Sequence, residues 1–152
     1  MECQRRRILI HESKIILLTW AYSEGKNGKT GLYSSITKDQ GATFGPRQLV
    51  AAGSVRGTPV LFRSRDGIAA IWQSVEGRTG TVLIAPRISD SKSSSSSVVA
   101  NNAELPAATA NDSKLFVAYI AKADQRQSVW LVSAAEQKLG SSRSSFVRRE
   151  LR

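Results

Sequence analysis

The chain is poor in residues that build covalent scaffolds. Its 152 residues include one cysteine, Cys3, and one histidine, His11. One cysteine excludes an intrachain disulfide and any cysteine-based zinc site. One histidine leaves a Ser-His or Cys-His dyad dependent on His11, which sits at an expected strand end and reads as a surface residue. No metal site and no cofactor are expected. Long apolar runs are also missing. Ile15-Ile-Leu-Leu18 is followed by Thr19, and even Leu115 to Ala121 is only seven residues long, against the roughly 20 residues a membrane span needs. Basic and then apolar residues open the chain, but His11, Glu12 and Lys14 break the apolar stretch, so no signal peptide is expected. Helical periodicity is absent too: Ser133 to Leu139 holds helix-friendly residues but is short. Acidic residues are few, 12 against 22 basic ones, for a net charge of +10. Half of that excess lies in residues 1–10 and 143–152, through Arg5, Arg6, Arg7, Arg143, Arg148, Arg149 and Arg152. Terminal arginines can hold nucleic acid or anionic surfaces. No stacking ladder or recognition helix accompanies these, so solvated basic ends are expected and nucleic acid is not an expected partner.

What the chain does contain is a repeat. With 41% hydrophobic and 22% charged residues it has the composition of one folded domain. His11-Glu-Ser-Lys14 leads into Ile15 to Trp20. Ser64-Arg-Asp-Gly67 leads into Ile68 to Trp72. Asn111-Asp-Ser-Lys114 leads into Leu115 to Tyr119. Each is a polar turn, then an apolar strand ending in an aromatic. Pro59 and Pro106 each precede their aromatic by 13 residues, and Gly31-Leu-Tyr, Thr81-Val-Leu and Ser128-Val-Trp mark a third register. A period near 47 made of short strands fits four-stranded antiparallel propeller blades. The expected fold is all-β, a partial β-propeller in one domain over 1–152. Blade one takes strands near 6–11, 14–23, 31–37 and 46–52. Blade two takes 58–64, 67–76, 80–88 and 96–101. Blade three takes 106–111, 114–123, 128–135 and 145–151. Pro59 and Pro106 are expected near strand starts, where no ladder hydrogen bond is lost. The second strand of each blade is expected to be buried on both faces.

Between the third and fourth strands of the first repeat lies Thr37-Lys-Asp-Gln-Gly-Ala-Thr-Phe44. Asp39 can accept hydrogen bonds from nearby N–H groups. Gly41 allows a positive φ where the turn reverses. Thr37 and Thr43 can tie the ends to the backbone, and Phe44 is expected to fold beneath the hairpin as an apolar plug. Thr37, Asp39, Gly41, Thr43 and Phe44 match all five defining positions of the Asp-box. The octet therefore resembles the neuraminidase (BNR) repeat of the sialidase-like β-propellers. The motif is absent from the other two repeats: Lys92 follows Asp90 where Gly belongs, and Ala135 stands where Asp belongs.

The resemblance implies a six-bladed fold, a structural turn remote from the catalytic pocket, and an exo-sialidase-type glycoside hydrolase acting on or binding terminal sugars of glycans. A non-catalytic module binding glycan or protein is the alternative. The family grips the sugar carboxylate with arginines, for which a bidentate fork is suited, and uses a Tyr–Glu nucleophile pair with an Asp acid/base. Its Phe/Tyr-Arg-Ile-Pro motif is not present, so the catalytic residues are left unassigned. Arg56, Arg63 and Arg87 are available arginines, and Tyr22 with Glu24, or Tyr33, is an available nucleophile. Three blades do not close a ring, so a fragment of a longer propeller or a homodimer closing six blades is expected. An extracellular or periplasmic location follows by resemblance. Asn111-Asp-Ser113 is a formal glycosylation sequon, and Gly28-Lys-Thr30 lacks the upstream glycine of a phosphate-binding loop.

Overall fold

Short apolar segments bounded by polar turns form the strands, with burial alternating along Ala103–Ala110 and nearly continuous along the middle of Gly67–Glu76. A computed structural model describes residues 6–11, 15–23, 30–64, 67–88, 95–111, 113–123, 126–135 and 147–151. Its strands are β1 (Arg6–His11), β2 (Ile15–Ser23), β3 (Thr30–Thr37), β4 (Gln48–Ala52), β5 (Val55–Ser64), β6 (Gly67–Glu76), β7 (Thr79–Ile88), β8 (Ser97–Asn101), β9 (Ala103–Ala110), β10 (Lys114–Ala123), β11 (Arg126–Ala135) and β12 (Val147–Leu151). The fold is all-β, and no helix occurs among the described residues, so none there is long and apolar enough to cross a membrane.

Consecutive strands pair antiparallel into three four-stranded meanders: β1–β4, β5–β8 and β9–β12. The connections between meanders are very short, Gly53-Ser54 and Asn102. Both bend through the left-handed region, at φ 110° for Gly53 and 50° for Asn102. The repeat reappears as repeated hydrogen bonds. Val75 N–H donates to the Ser54 carbonyl at 3.0 Å, and Lys122 N–H, 47 positions later, donates to the Asn102 carbonyl at 2.8 Å.

The first strand of each later sheet lies against the preceding sheet: β5 on β1, β2 and β3, and β9 on β5, β6 and β7. Two apolar cores result, one on each face of the middle sheet. Along β6, Ala69 and Ile71 point to the third sheet with Val82 and Ile84 of β7, and meet Leu115, Val117, Tyr119 and Val132. The alternate residues Ile68, Ala70 and Trp72 point to the first sheet and meet Ala21, Leu32 and Val50. Each fully buried Ile, Leu or Val contributes about 1.5–3 kcal/mol through loss of apolar surface to water, so these faces hold the stack together. Sequestration on both faces is complete at the centre of β6. In β10 burial alternates, with Leu115, Val117 and Tyr119 buried and Phe116, Ala118 and Ile120 half-exposed.

Two expectations need correction. β5 and β9 begin three residues before the expected 58 and 106, so Pro59 and Pro106 lie inside strands. Each sits at an interruption of register, between Arg56 and Val60 in β5 and opposite the Ala118/Ile120 irregularity in β9. The bulge removes the ladder bond that a proline nitrogen cannot make. Phe44 does not fold beneath its hairpin: the ring is 47% exposed. A cavity of about 350 Å³ beside the turn is lined by Thr43 and Gly45 but not by Phe44, and hydrogen bonds between polar side chains and backbone hold the turn without that plug. The Asp90–Lys92 segment and residues 136–139 lie outside the described residues.

Candidate functional site: a cationic cleft between two sheets

The octet turn is built around one carboxylate. Thr37 Oγ1 donates to Asp39 Oδ1 at 2.5 Å and accepts from the N–H groups of Asp39 at 3.3 Å and Gly41 at 3.0 Å. Thr43 donates twice to Asp39, through N–H to Oδ1 at 2.9 Å and through Oγ1 to Oδ2 at 2.5 Å. Gly41 takes φ 95°, preceded by Gln40 at 61°, so the reversal uses two left-handed residues. The donors favour the ionised carboxylate. The Thr37 hydroxyl contributes most, then the Thr43 hydroxyl and N–H, and Asp39 is lowered from 3.8 to about 2. These bonds lie within the octet itself, so the network accounts for the shape of the turn. The adjacent 350 Å³ cavity, lined by Ile36, Lys38, Thr43 and Pro46 among others, has one charged group, Lys38, which is already engaged.

The opposite end of the stack is chemically different. There β5, β7 and β9 begin and β6 and β10 end, and the second and third sheets leave a cleft of about 150 Å³. Arg56 from β5, Arg78 from the β6–β7 turn and Lys122 from β10 line it, with Gln73, Asn102 and Glu104. Lys122 Nζ and Glu104 Oε2 form an ion pair at 2.8 Å. Among the described residues neither Arg56 nor Arg78 has an ion-pair partner. Gln73 is buried, and its Oε1 accepts from the Leu105 N–H at 3.4 Å. That bond leaves the carboxamide N–H₂ end of Gln73 on the cleft side, where it lies 2.8 Å from the position a Cβ on Gly80 would take. Two unpaired guanidinium groups beside a fixed amide make a surface for an anion with several oxygens.

The topology separates the candidate arginines. Arg56 reaches the cleft, whereas Arg63 and Arg87 lie at the far ends of β5 and β7, and Arg87 is already engaged. Tyr33 is not a free nucleophile. Its ring stacks on Trp20 with centroids 6.4 Å apart, and the Arg47 guanidinium sits 4.8 Å from its centre. The side chains of Tyr22 and Glu24 lie outside the description. Arg148 is not a free surface charge either: its Nη2 donates to the Val99 carbonyl at 3.1 Å, tying β12 to β8. Arg78, Lys122 and Gln73 were not singled out from sequence, because no motif joins positions so far apart; the docking of sheet three on sheet two does.

No protein-family model, curated protein or solved structure matches the chain.

Proposed function

We propose that the three meanders are blades of a sialidase-like β-propeller, and that the cleft holds the carboxylate of an acidic terminal sugar on a glycan. The observation that carries the sugar reading is the pair of unpaired guanidinium groups, Arg56 and Arg78, beside Gln73. Support for the propeller comes from three consecutive four-stranded meanders stacked face to face, with an Asp-box-like turn in the first. The cleft lies at the end of the stack away from that turn, so the structural motif and the ligand chemistry do not compete for the same residues. Binding is the favoured role over hydrolysis. The one carboxylate lining the cleft, Glu104, is held by Lys122, whereas glycoside cleavage in this class needs an acid/base and an activated nucleophile.

Titration of the protein with a sialylated trisaccharide, followed by ligand-observed NMR, tests this. Binding is expected for the sialoside and not for its neutral lactose core. Arg56→Ala should weaken it by about tenfold or more, the effect of losing one charge-assisted contact of about 1.5–3 kcal/mol. Equal binding of the neutral sugar, or none of the sialoside at millimolar concentration, would overturn the reading. Release of a fluorogenic aglycone in the same samples would move the assignment from binding to hydrolysis.

A further inference from the structure

The cleft has two unlike walls. Sheet two supplies Arg56 and Arg78, neither with an ion-pair partner among the described residues. Sheet three supplies Glu104 and Lys122, which pair with each other at 2.8 Å. The repeat does not call for an acid at this place. Arg56 lies opposite Gln73 in sheet two, and Glu104 lies opposite Ile120, 47 positions after Gln73, in sheet three. Arg56 and Glu104 therefore hold the same position in successive sheets and carry opposite charges. Glu104 is also the more enclosed partner of its ion pair, with 22% of its side chain exposed against 52% for Lys122.

The backbone that carries Glu104 is fixed at an energetic cost. Asn102 and Leu105 take φ values of 50° and 52°, a region that is costly for a residue as bulky as leucine. The Leu105 side chain is 66% exposed, so its own packing does not demand that conformation. Its N–H is the one that meets Gln73 Oε1 at 3.4 Å, and the Lys122 N–H meets the Asn102 carbonyl at 2.8 Å. Both ends of the segment are thus tied to residues that line the cleft, and Lys122 holds the carboxylate between them.

We propose that Glu104 is a specificity-determining residue of the cleft: its fixed negative charge favours singly charged carboxylates over dianionic phosphate esters. This inference rests on the sugar reading of the cleft. Attraction to Arg56 and Arg78 grows in proportion to the charge of the ligand, whereas the cost of removing an ion from water grows with the square of its charge. A strongly positive cleft therefore favours the dianion. A carboxylate in the wall weakens the positive field and moves the preference to the monoanion.

The test compares two ligands by ligand-observed NMR at pH 8 and constant ionic strength. One is the sialylated trisaccharide, a monoanion. The other is galactose 6-phosphate, a dianion there because a phosphate monoester loses its second proton near pH ~6. Wild-type protein is expected to bind the sialoside more tightly. Glu104→Gln keeps the shape of the side chain, so a role confined to structure would leave the affinity ratio alone. The proposal instead expects the ratio to move towards the phosphate by about tenfold. Lys122→Gln, which leaves the Glu104 charge in place, should move the ratio the other way, and circular dichroism confirms that each variant is folded. Sialoside binding with the same ratio in wild type and Glu104→Gln overturns this proposal and leaves the sugar reading standing. A wild-type protein that prefers galactose 6-phosphate also overturns it. A wild-type protein that does not bind the sialoside overturns both.

Discussion

Asp39 shows how one side chain can determine a turn. Its two oxygens receive three hydrogen bonds from Thr37 and Thr43, so the ionised form is favoured in the fold and its titration is lowered from 3.8 to about 2. The folded value is the lower one, so the ionised turn adds stability above the unfolded value near 3.8. That contribution is lost as pH falls from there through about 2. Asp39→Asn should therefore lower the thermal midpoint at pH 7. It should also flatten the loss of stability between pH 4 and 2, measured by thermal melts at each pH. An unchanged acid limb would mean that Asp39 does not contribute to it. The octet was legible because its chemistry is local: donors and acceptor lie within four residues of one another. Phe44 was misjudged because where an apolar ring goes depends on what lies beneath it, which eight residues do not specify.

At the scale of the strand, the repeat constrains where backbones come close. Gly80 near the start of β7 has no room for a side chain. A Cβ there would lie 2.6 Å from the Ala103 carbonyl oxygen and 2.8 Å from Gln73 Nε2. The carbonyl belongs to the first residue of β9 and cannot swing aside cheaply. Gly80→Ala is expected to cost about 1–3 kcal/mol, the usual effect of overpacking, read as a lower urea midpoint with an unchanged slope. It should also widen the gap between sheets two and three at the cleft and weaken the sialoside titration. Strand positions were largely readable because alternation, polar turns and a recurring aromatic coincide at each copy. The starts of β5 and β9 were not. Proline inside a run argues for a strand end, and the bulges that admit Pro59 and Pro106 depend on their partner strands. The cleft was illegible for a related reason: Arg56, Gln73, Arg78 and Lys122 come from different strands and meet only when two sheets dock.

At the scale of the molecule, the middle sheet carries a buried core on each of its faces, whereas the outer face of the third sheet is partly exposed. Opening a β6 amide requires undoing both cores, whereas β12 is an edge strand whose residues are all exposed. Native-state hydrogen exchange should find the slowest amides in β6 and β7 and much faster exchange in β12, by about a hundredfold or more if local opening there avoids about 3 kcal/mol of core disruption. Equal protection in β6 and β12 would show that the three sheets open as one unit.

The links between sheets, Gly53-Ser54 and Asn102, are too short to let neighbours drift apart. A chain made this way can lengthen by copying one unit, because each addition covers one open surface and presents another of the same kind. Gene duplication would then extend the array one unit at a time, with each new end needing a polar outer face to stay in solution.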